Sequence, residues 1–294
     1  MLGAETRESG GTVWGTIRGR LIGRTAVFGA VCRGSSPLPG TMTLRAVVLA
    51  AGAGTRMKSD LPKPLHEVCE KAMVLHVIDA LAATQPDEIS VVVGHGDDLV
   101  AETVQQAAPT WANIRFATQH EQHGTGHATQ VGITSLFAPS ANDSVIVLPG
   151  DTPLLTAQTI NRLVSEHITN GHSSTILTSE LDDPTGYGRI VRKADGSVER
   201  IVEQRDASPT ELLITEWNAG VYVFNHAQLL PALSDLSTDN SQHEYYLTDA
   251  IAALARDGHV GSVSTEPDET RGVNDREQLA EVEHIMRARD HHNG

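Results

Sequence analysis

The residues best suited to chemistry lie in Leu49-Ala50-Ala51-Gly52-Ala53-Gly54-Thr55-Arg56-Met57, followed by Leu61-Pro62-Lys63-Pro64. Gly52 and Gly54 can take positive φ and bring the backbone close to a ligand, so their N–H groups can face phosphate oxygens. Arg56 offers a planar fork of donors, and Lys63 offers a compact charge seven residues later. In a chain of formal net charge −15, two cations beside a glycine turn form a local anion site. A dinucleotide fingerprint would need a third glycine where Met57 stands, and no Gly-Lys-Ser/Thr tripeptide of a P-loop occurs. A tight strand–helix turn would also use two glycines. The Arg56 and Lys63 extension is what points to phosphate.

Three other positions carry chemical promise. Asp151 follows the apolar run Ser144–Pro149, and a carboxylate at the end of a buried strand is costly without a partner. It could be a loop cap or a cation ligand. Gln119 follows the strand pattern Asn113–Thr118. Its amide can pair with the N3–H and a carbonyl of uracil, and it can also rotate to suit cytosine. Glu203 closes the apolar strand end Ile201-Val202, an unusual place for an unpaired carboxylate. No Ser/His/Asp or Cys/His arrangement supplies an activated nucleophile, and the 14 histidines are scattered.

These residues need a scaffold, and the pattern around them supplies one. Arg45–Ala51, Ile89–Gly94, Asn113–Thr118, Ser144–Pro149 and Ser174–Ser179 read as short buried strands. Helical patterns lie between them, over Lys71–Ala83, Asp97–Ala107, Gly126–Phe137 and Thr156–Thr169. That alternation predicts an α/β fold with a mostly parallel sheet covered on both faces. After Pro184 the rhythm changes. Arg189–Arg192 and Val198–Val202 flank Asp195-Gly196, a hairpin turn, and Trp217–Phe224 is a further strand. A mostly antiparallel insert closing over the core is expected there. Tyr246–Ala255 is again helical, and Asp275–Arg289 carries a stripe of Leu279, Val282, Ile285 and Met286.

Composition bounds the function. The 294 residues are 39% hydrophobic and 20% charged, ordinary globular usage. The acidic balance disfavours nucleic acid as a partner, and no apolar run approaches a membrane span. Two cysteines without metal spacing, Cys32 and Cys69, suit a reducing cytoplasm. Residues 1–42 hold five arginines against two glutamates and 9 of the 26 glycines, with no sustained period. They are expected to be a disordered extension without signal or transit character, and Met42 looks like an alternative start. The expected catalytic domain is 43–274, followed by a helical tail at 275–294. Nothing in the sequence speaks to oligomeric state.

The glycine loop with Leu61-Pro62-Lys63-Pro64 resembles the sugar-nucleotide pyrophosphorylases, also called sugar-1-phosphate nucleotidyltransferases. The match continues through Gln119-x-x-Gln122-x-Gly124-Thr125-Gly126-His127-Ala128 and Gly150-Asp151-x-Pro153-Leu154. It runs on through Asp182–Ile190, Ile201-Val202-Glu203, Asn218-Ala219-Gly220, Glu244–Asp249 and Gly272-Val273-Asn274. Together these resemble the uridyltransferase domain of the bacterial UDP-N-acetylglucosamine pyrophosphorylases. The resemblance implies a Rossmann-like nucleotide-diphospho-sugar transferase fold, with a mixed, mostly parallel sheet and an antiparallel sugar-binding insert. It implies uridylyl transfer from UTP to N-acetylglucosamine-1-phosphate with Mg2+. Arg56 and Lys63 would then be catalytic. Leu49, Ala51, Gly52, Gly54, Gln119, Gly124 and Thr125 would bind the nucleotide. Gly188, Glu203, Asn218, Tyr246 and Thr248 would bind the sugar, and Asp151 with Asn274 would hold the metal.

Alternatives stay open at this level. Gly124-Thr125-Gly126 would also serve as a plain turn before a helix. Asn274, followed by Asp275-x-x-Gln278, would also serve as a helix-cap residue. Another nucleotide or sugar phosphate, or a non-catalytic sugar-nucleotide sensor, would use similar residues. Ala53, His123, Pro149 and Ala219 depart from the commoner family pattern, which bears on substrate preference. In two-headed family members a C-terminal helix leads to an acetyltransferase of hexapeptide repeats. The residues after Asn274 have a helical period, so no acetyltransferase activity is expected of this chain.

Overall fold

The computed structural model describes residues 43–293, apart from 53, 95–97, 137–139 and 141. The expected extension at 1–42 therefore lies outside the described residues. Strand β1 (Leu44–Ala50) leads through the glycine loop to a small hairpin, β2 (Glu67–Val68) and β3 (Lys71–Ala72), and helix α1 (Met73–Ala80). There follow β4 (Glu88–Gly94), α2 (Asp98–Ala107), β5 (Ile114–Gln119), α3 (Thr125–Ser135), β6 (Ser144–Pro149), α4 (Ala157–Asn170) and β7 (Ser174–Glu180). The second half has β8 (Arg189–Arg192), β9 (Val198–Val202), β10 (Glu216–Asn225), α5 (His226–Ser234), α6 (Leu247–Asp257), β11 (Val260–Ser264) and α7 (Arg276–Asn293).

The sheet runs β11-β7-β10-β6-β1-β4-β5. Its β1–β4, β1–β6, β4–β5 and β7–β11 pairs are parallel. Strand β1 is buried on both faces, as its unbroken apolar run requires. Its even residues Ala46, Val48 and Ala50 join one core with Val74, Val77 and Ile78 of α1 and Ile160 and Leu163 of α4. Its odd residue Val47 joins the other core with Ile133 of α3, Leu229 of α5 and Ile251 of α6. The period of two along the strand thus sorts the helices onto opposite faces.

Strand β10 refines the expectation of a separate antiparallel insert. It lies inside the main sheet, antiparallel to both β6 and β7. Only its first part reaches out, where Trp217 pairs with Arg189 of β8, and β8 carries β9. The register against β7 slips between Asn218 and Tyr222, with Gly220 at φ 75° inside the slip. A bulge of this kind bends the strand and re-aims its side chains. This one sits beyond the carboxyl end of β6.

Helix α7 is docked on the body of the fold. Val282 and Val273 are buried with Met57, Val68, Met73 and Leu154, and Leu279, Ile285 and Met286 pack against them. Arg276 donates to the carbonyls of Met57 (3.1 Å) and Lys58 (3.1 Å), and Arg289 donates to Leu154 O (2.9 Å). Among the described residues no helix is long and apolar enough to cross a membrane.

Candidate active site

Strand β1 has β4 on one side and β6 on the other, so the chain leaves it at the point where the strand order reverses. Ligands of open α/β sheets bind in the crevice at such a point, beyond the carboxyl ends of the strands. The loops after β1, β5 and β6 and the bulge of β10 all open onto that edge.

The β1 loop is shaped by Gly54, which has φ 58°. A Cβ there would lie 2.6 Å from Lys63 Cβ, so glycine is required both by the backbone and by the approach of Lys63. Gly54 and the 3-10 turn Thr55–Met57 leave Arg56 exposed, with no ion pair or hydrogen bond among the described residues. Lys63 is different. Its side chain is 13% exposed and forms an ion pair with Asp151, and its Nζ donates to Asn274 Oδ1 at 2.8 Å. Of the two loop cations, Arg56 is thus exposed while Lys63 is held by partners.

Two further bonds hold Asp151 and Asn274 in place. Gly150 N donates to Leu49 O (2.8 Å), which draws the β6 loop alongside β1, and Val273 N donates to Asp151 O (2.9 Å). The Leu49 carbonyl is thereby engaged in positioning the loop. Helix α7 is capped by Asp275, whose Oδ1 accepts from Gln278 N (2.9 Å), while Gln278 Oε1 accepts from Asn274 N (2.7 Å). Only the backbone of Asn274 takes part in the cap, and its side chain is free to meet Lys63. The Lys63 ammonium shows that one carboxylate oxygen and one amide oxygen converge on a single cation. Two hard oxygens, with the rest of the shell left to water and phosphate, suit Mg2+. Among the described residues no three His, Cys, Asp or Glu side chains gather to cage a metal.

On the β5 side, Gln119 is 4% exposed. Its Nε2 lies 3.2 Å from Gly124 O and 3.1 Å from His127 Nδ1. Gln122, which sequence reasoning quoted without giving it a role, donates to Ala51 O at 2.7 Å and ties this loop to the glycine loop. Gly124 has φ 100°, and a Cβ on it would lie 2.7 Å from Tyr245 O. Gly126 N donates to that carbonyl (2.8 Å), Tyr245 N donates to His123 O (2.8 Å), and Leu247 N donates to Thr125 Oγ1 (3.1 Å). Gly124-Thr125-Gly126 is therefore more than a turn before a helix, because it is stitched to the chain that carries Tyr246 and Thr248.

The second half supplies the remaining wall. Thr248 Oγ1 donates to Glu203 Oε1 at 2.9 Å. Burial pushes the Glu203 carboxyl above its ordinary range, against the pull of Thr248 and helped by the charges of Asp249, Asp206 and Glu244. Asn218 N donates to Gly188 O (2.9 Å). Asn218 Oδ1 accepts from Gly220 N (3.1 Å) and its Nδ2 donates to Tyr222 Oη (2.6 Å). Regular strand spacing would keep residues 218 and 222 apart, and the bulge brings them together. Tyr246 Oη accepts from Gln242 Nε2 at 2.8 Å. Tyr187 packs against Trp217 with ring centroids 4.0 Å apart and the rings tilted by 42°. Burial raises its phenol, the Asp151 charge adds to this and Arg271 opposes it, so Tyr187 feels both halves of the cleft. Tyr187, Tyr222 and Arg276 were not singled out from the sequence. Only Tyr187 carried a signal, its place inside Gly186-Tyr187-Gly188-Arg189.

Residues 45–268 match the family model described as nucleotidyl transferase. The chain belongs to the nucleotidyl transferase family. It is 48% identical over 245 residues to the bifunctional protein GlmU of Clostridium perfringens strain SM101, covering 83% of this chain and 52% of that one. It is 48% identical over 239 residues to the bifunctional protein GlmU of Corynebacterium efficiens, covering 80% and 49%. The chain thus spans about half the length of the curated relatives it matches. A crystal structure of UDP-glucose pyrophosphorylase complexed with UDP-glucose superposes with a TM-score of 0.68 over 84% of this chain, all of that one, at 16% identity. That likeness establishes the nucleotide-diphospho-sugar transferase fold.

Proposed function

We propose that this chain is a UDP-N-acetylglucosamine pyrophosphorylase, joining UTP to N-acetylglucosamine-1-phosphate and releasing pyrophosphate. The observation that carries the reading is the convergence of Lys63, Asp151 and Asn274 beside the glycine loop. The identity to the GlmU relatives and the order of the motifs support it.

The attacking oxygen of a sugar phosphate is already an anion and needs no general base. Its attack on the α-phosphorus of UTP forms one phosphorus–oxygen bond and breaks the bond to the departing pyrophosphate. The obstacle is to hold several negative charges in line and to stabilise the charge that leaves. Arg56 and Lys63 bring positive charge to the phosphates, and the N–H groups of Gly52 and Gly54 face their oxygens. Ala51, Gln119, Gly124 and Thr125 surround the uridine, with Leu49 holding the β6 loop. Glu203, Asn218, Tyr246 and Thr248 bond the sugar together with the backbone of Gly188. Asp151 and Asn274 would hold Mg2+, which would supply charge neutralisation at the phosphates.

The test is pyrophosphate release from UTP with a panel of sugar-1-phosphates in Mg2+. N-acetylglucosamine-1-phosphate is expected to react fastest, and chelation of the metal is expected to stop the reaction. Faster release with glucose-1-phosphate, or none with N-acetylglucosamine-1-phosphate, would overturn the assignment.

A further inference from the structure

A glutamine is an ambiguous reader of a pyrimidine. Turned one way it presents a carbonyl oxygen, turned the other way an amide N–H. Uracil offers a donor at N3, whereas cytosine offers a lone pair there and an exocyclic amine beside it. A free Gln119 would accommodate both bases.

The surroundings of Gln119 remove that freedom. The Gly124 carbonyl, 3.2 Å from Nε2, can only accept, so the amide nitrogen must face it. The same nitrogen lies 3.1 Å from His127 Nδ1, and an amide nitrogen can only donate. His127 must therefore accept at Nδ1 and carry its proton on Nε2. Both N–H groups of Gln119 are then engaged, and Oε1 is left as a pure acceptor. Turning the amide would break both bonds and set Oε1 against the Gly124 carbonyl. At 4% exposure water cannot compensate for that loss. Helix α3 fixes the geometry, since His127 sits in its first turn, three residues after Gly124.

We propose that His127 is a positioning residue that locks Gln119 as a one-way acceptor and so sets the preference for uracil over cytosine. The proposal rests on the assignment of Gln119 to the base made above. His127 does not touch the reacting atoms, so its effect belongs in nucleotide binding. It is half-buried on the wall of a 380 Å³ cavity with His123, Gln130 and Leu236, where it can be replaced without opening the core.

The experiment compares UTP and CTP by calorimetric binding and by initial rates, in the parent chain and in His127→Phe, His127→Asn and Gln119→Ala. His127→Phe keeps a ring but has no acceptor, whereas asparagine can place an oxygen near the position of Nδ1. The expected result for His127→Phe is a fall of about tenfold in the preference for UTP, the value of one buried hydrogen bond. It should be seen in Kd and KM with kcat nearly unchanged, and His127→Asn should restore most of the preference. An unchanged preference in His127→Phe would overturn the lock. If Gln119→Ala also leaves UTP binding and preference unchanged, the assignment of Gln119 to the base fails instead. Nitrogen-15 spectra of the histidines in the parent provide a readout independent of any variant. His127 protonated on Nε2 alone is expected, and a proton on Nδ1 would overturn the proposal.

Discussion

At the amino edge of the sheet, Arg45 lies between Glu88 (3.0 Å) and Asp143 (3.1 Å), and Arg115 closes on the other oxygen of Glu88. At the carboxyl edge, Lys63 lies between Asp151 and Asn274. Both are cations held by two oxygen groups, but their surroundings differ. The side chains of Arg45, Glu88 and Asp143 are 10%, 4% and 2% exposed, whereas Asp151 is 23% exposed, and Arg56, on the loop that leads to Lys63, is exposed and unpaired among the described residues. Burial alone would raise the Asp143 carboxyl, yet bonds from Thr43, Ser140 and Arg45 hold it below its ordinary value. The amino edge is a closed set of charges serving the fold. The carboxyl edge is more open, with Lys63 and Asp151 partly exposed and Arg56 adding an exposed cation on the same loop as Lys63.

Four changes would break or sharpen this contrast. The largest effect on the fold is expected from Arg45→Ala, which leaves Glu88 and Asp143 buried with less compensation. It should cost about 3–5 kcal/mol in urea unfolding while the folded fraction keeps its rate. Lys63→Ala should do the reverse, lowering kcat by about 10²–10³-fold, with a much smaller shift in Tm. A loss of stability equal to that of Arg45→Ala would erase the distinction between the edges. Gly124→Ala should come next. Its methyl group would meet the Tyr245 carbonyl at 2.7 Å, costing about 1–3 kcal/mol by denaturant titration, and KM should rise for both substrates.

The smallest effect concerns Glu203. Its carboxyl is raised by burial, so the folded state is penalised once the unfolded carboxyl ionises. Parent stability should therefore decline as pH rises from the ordinary carboxyl value to the raised one. Glu203→Gln removes the charge and should flatten that decline in Tm measured against pH. It should also raise the sugar phosphate KM by about tenfold, because a charged acceptor is lost. A variant whose Tm profile follows the parent would show that Glu203 is not the group that titrates.

Much of the carboxyl edge was legible in the sequence, because each of its loops follows an apolar run whose end can be seen. Gly52, Gly54, Asp151 and Gln119 all stand one to a few residues beyond such a run, and Lys63 lies further along the loop that follows the first of them. The amino edge was less legible. Arg45, Glu88 and Asp143 each stand at or just before a strand start, but only the strand order β6-β1-β4 makes them neighbours. Strand β10 was visible as a strand, yet its place between β6 and β7 depends on pairing across more than 70 residues, which no local period encodes. The contact of Asn218 with Tyr222 needed the bulge, and the cap of α7 had to be seen to tell the Asn274 side chain from its backbone. Helix α5 escaped because Pro231 interrupts its pattern. Strand β11 escaped because its burial alternates only weakly.

The three backbone and side-chain bonds between His123–Gly126 and Tyr245–Leu247 have a thermodynamic consequence. Under the proposed function one of these segments would face the nucleotide and the other the sugar, so neither could be ordered by its own ligand without steadying the other. Whatever factor the first ligand contributes to the affinity of the second, the second must return to the first. Reciprocal titrations, each ligand measured in the presence and absence of its partner, should therefore close to the same coupling constant whichever is added first.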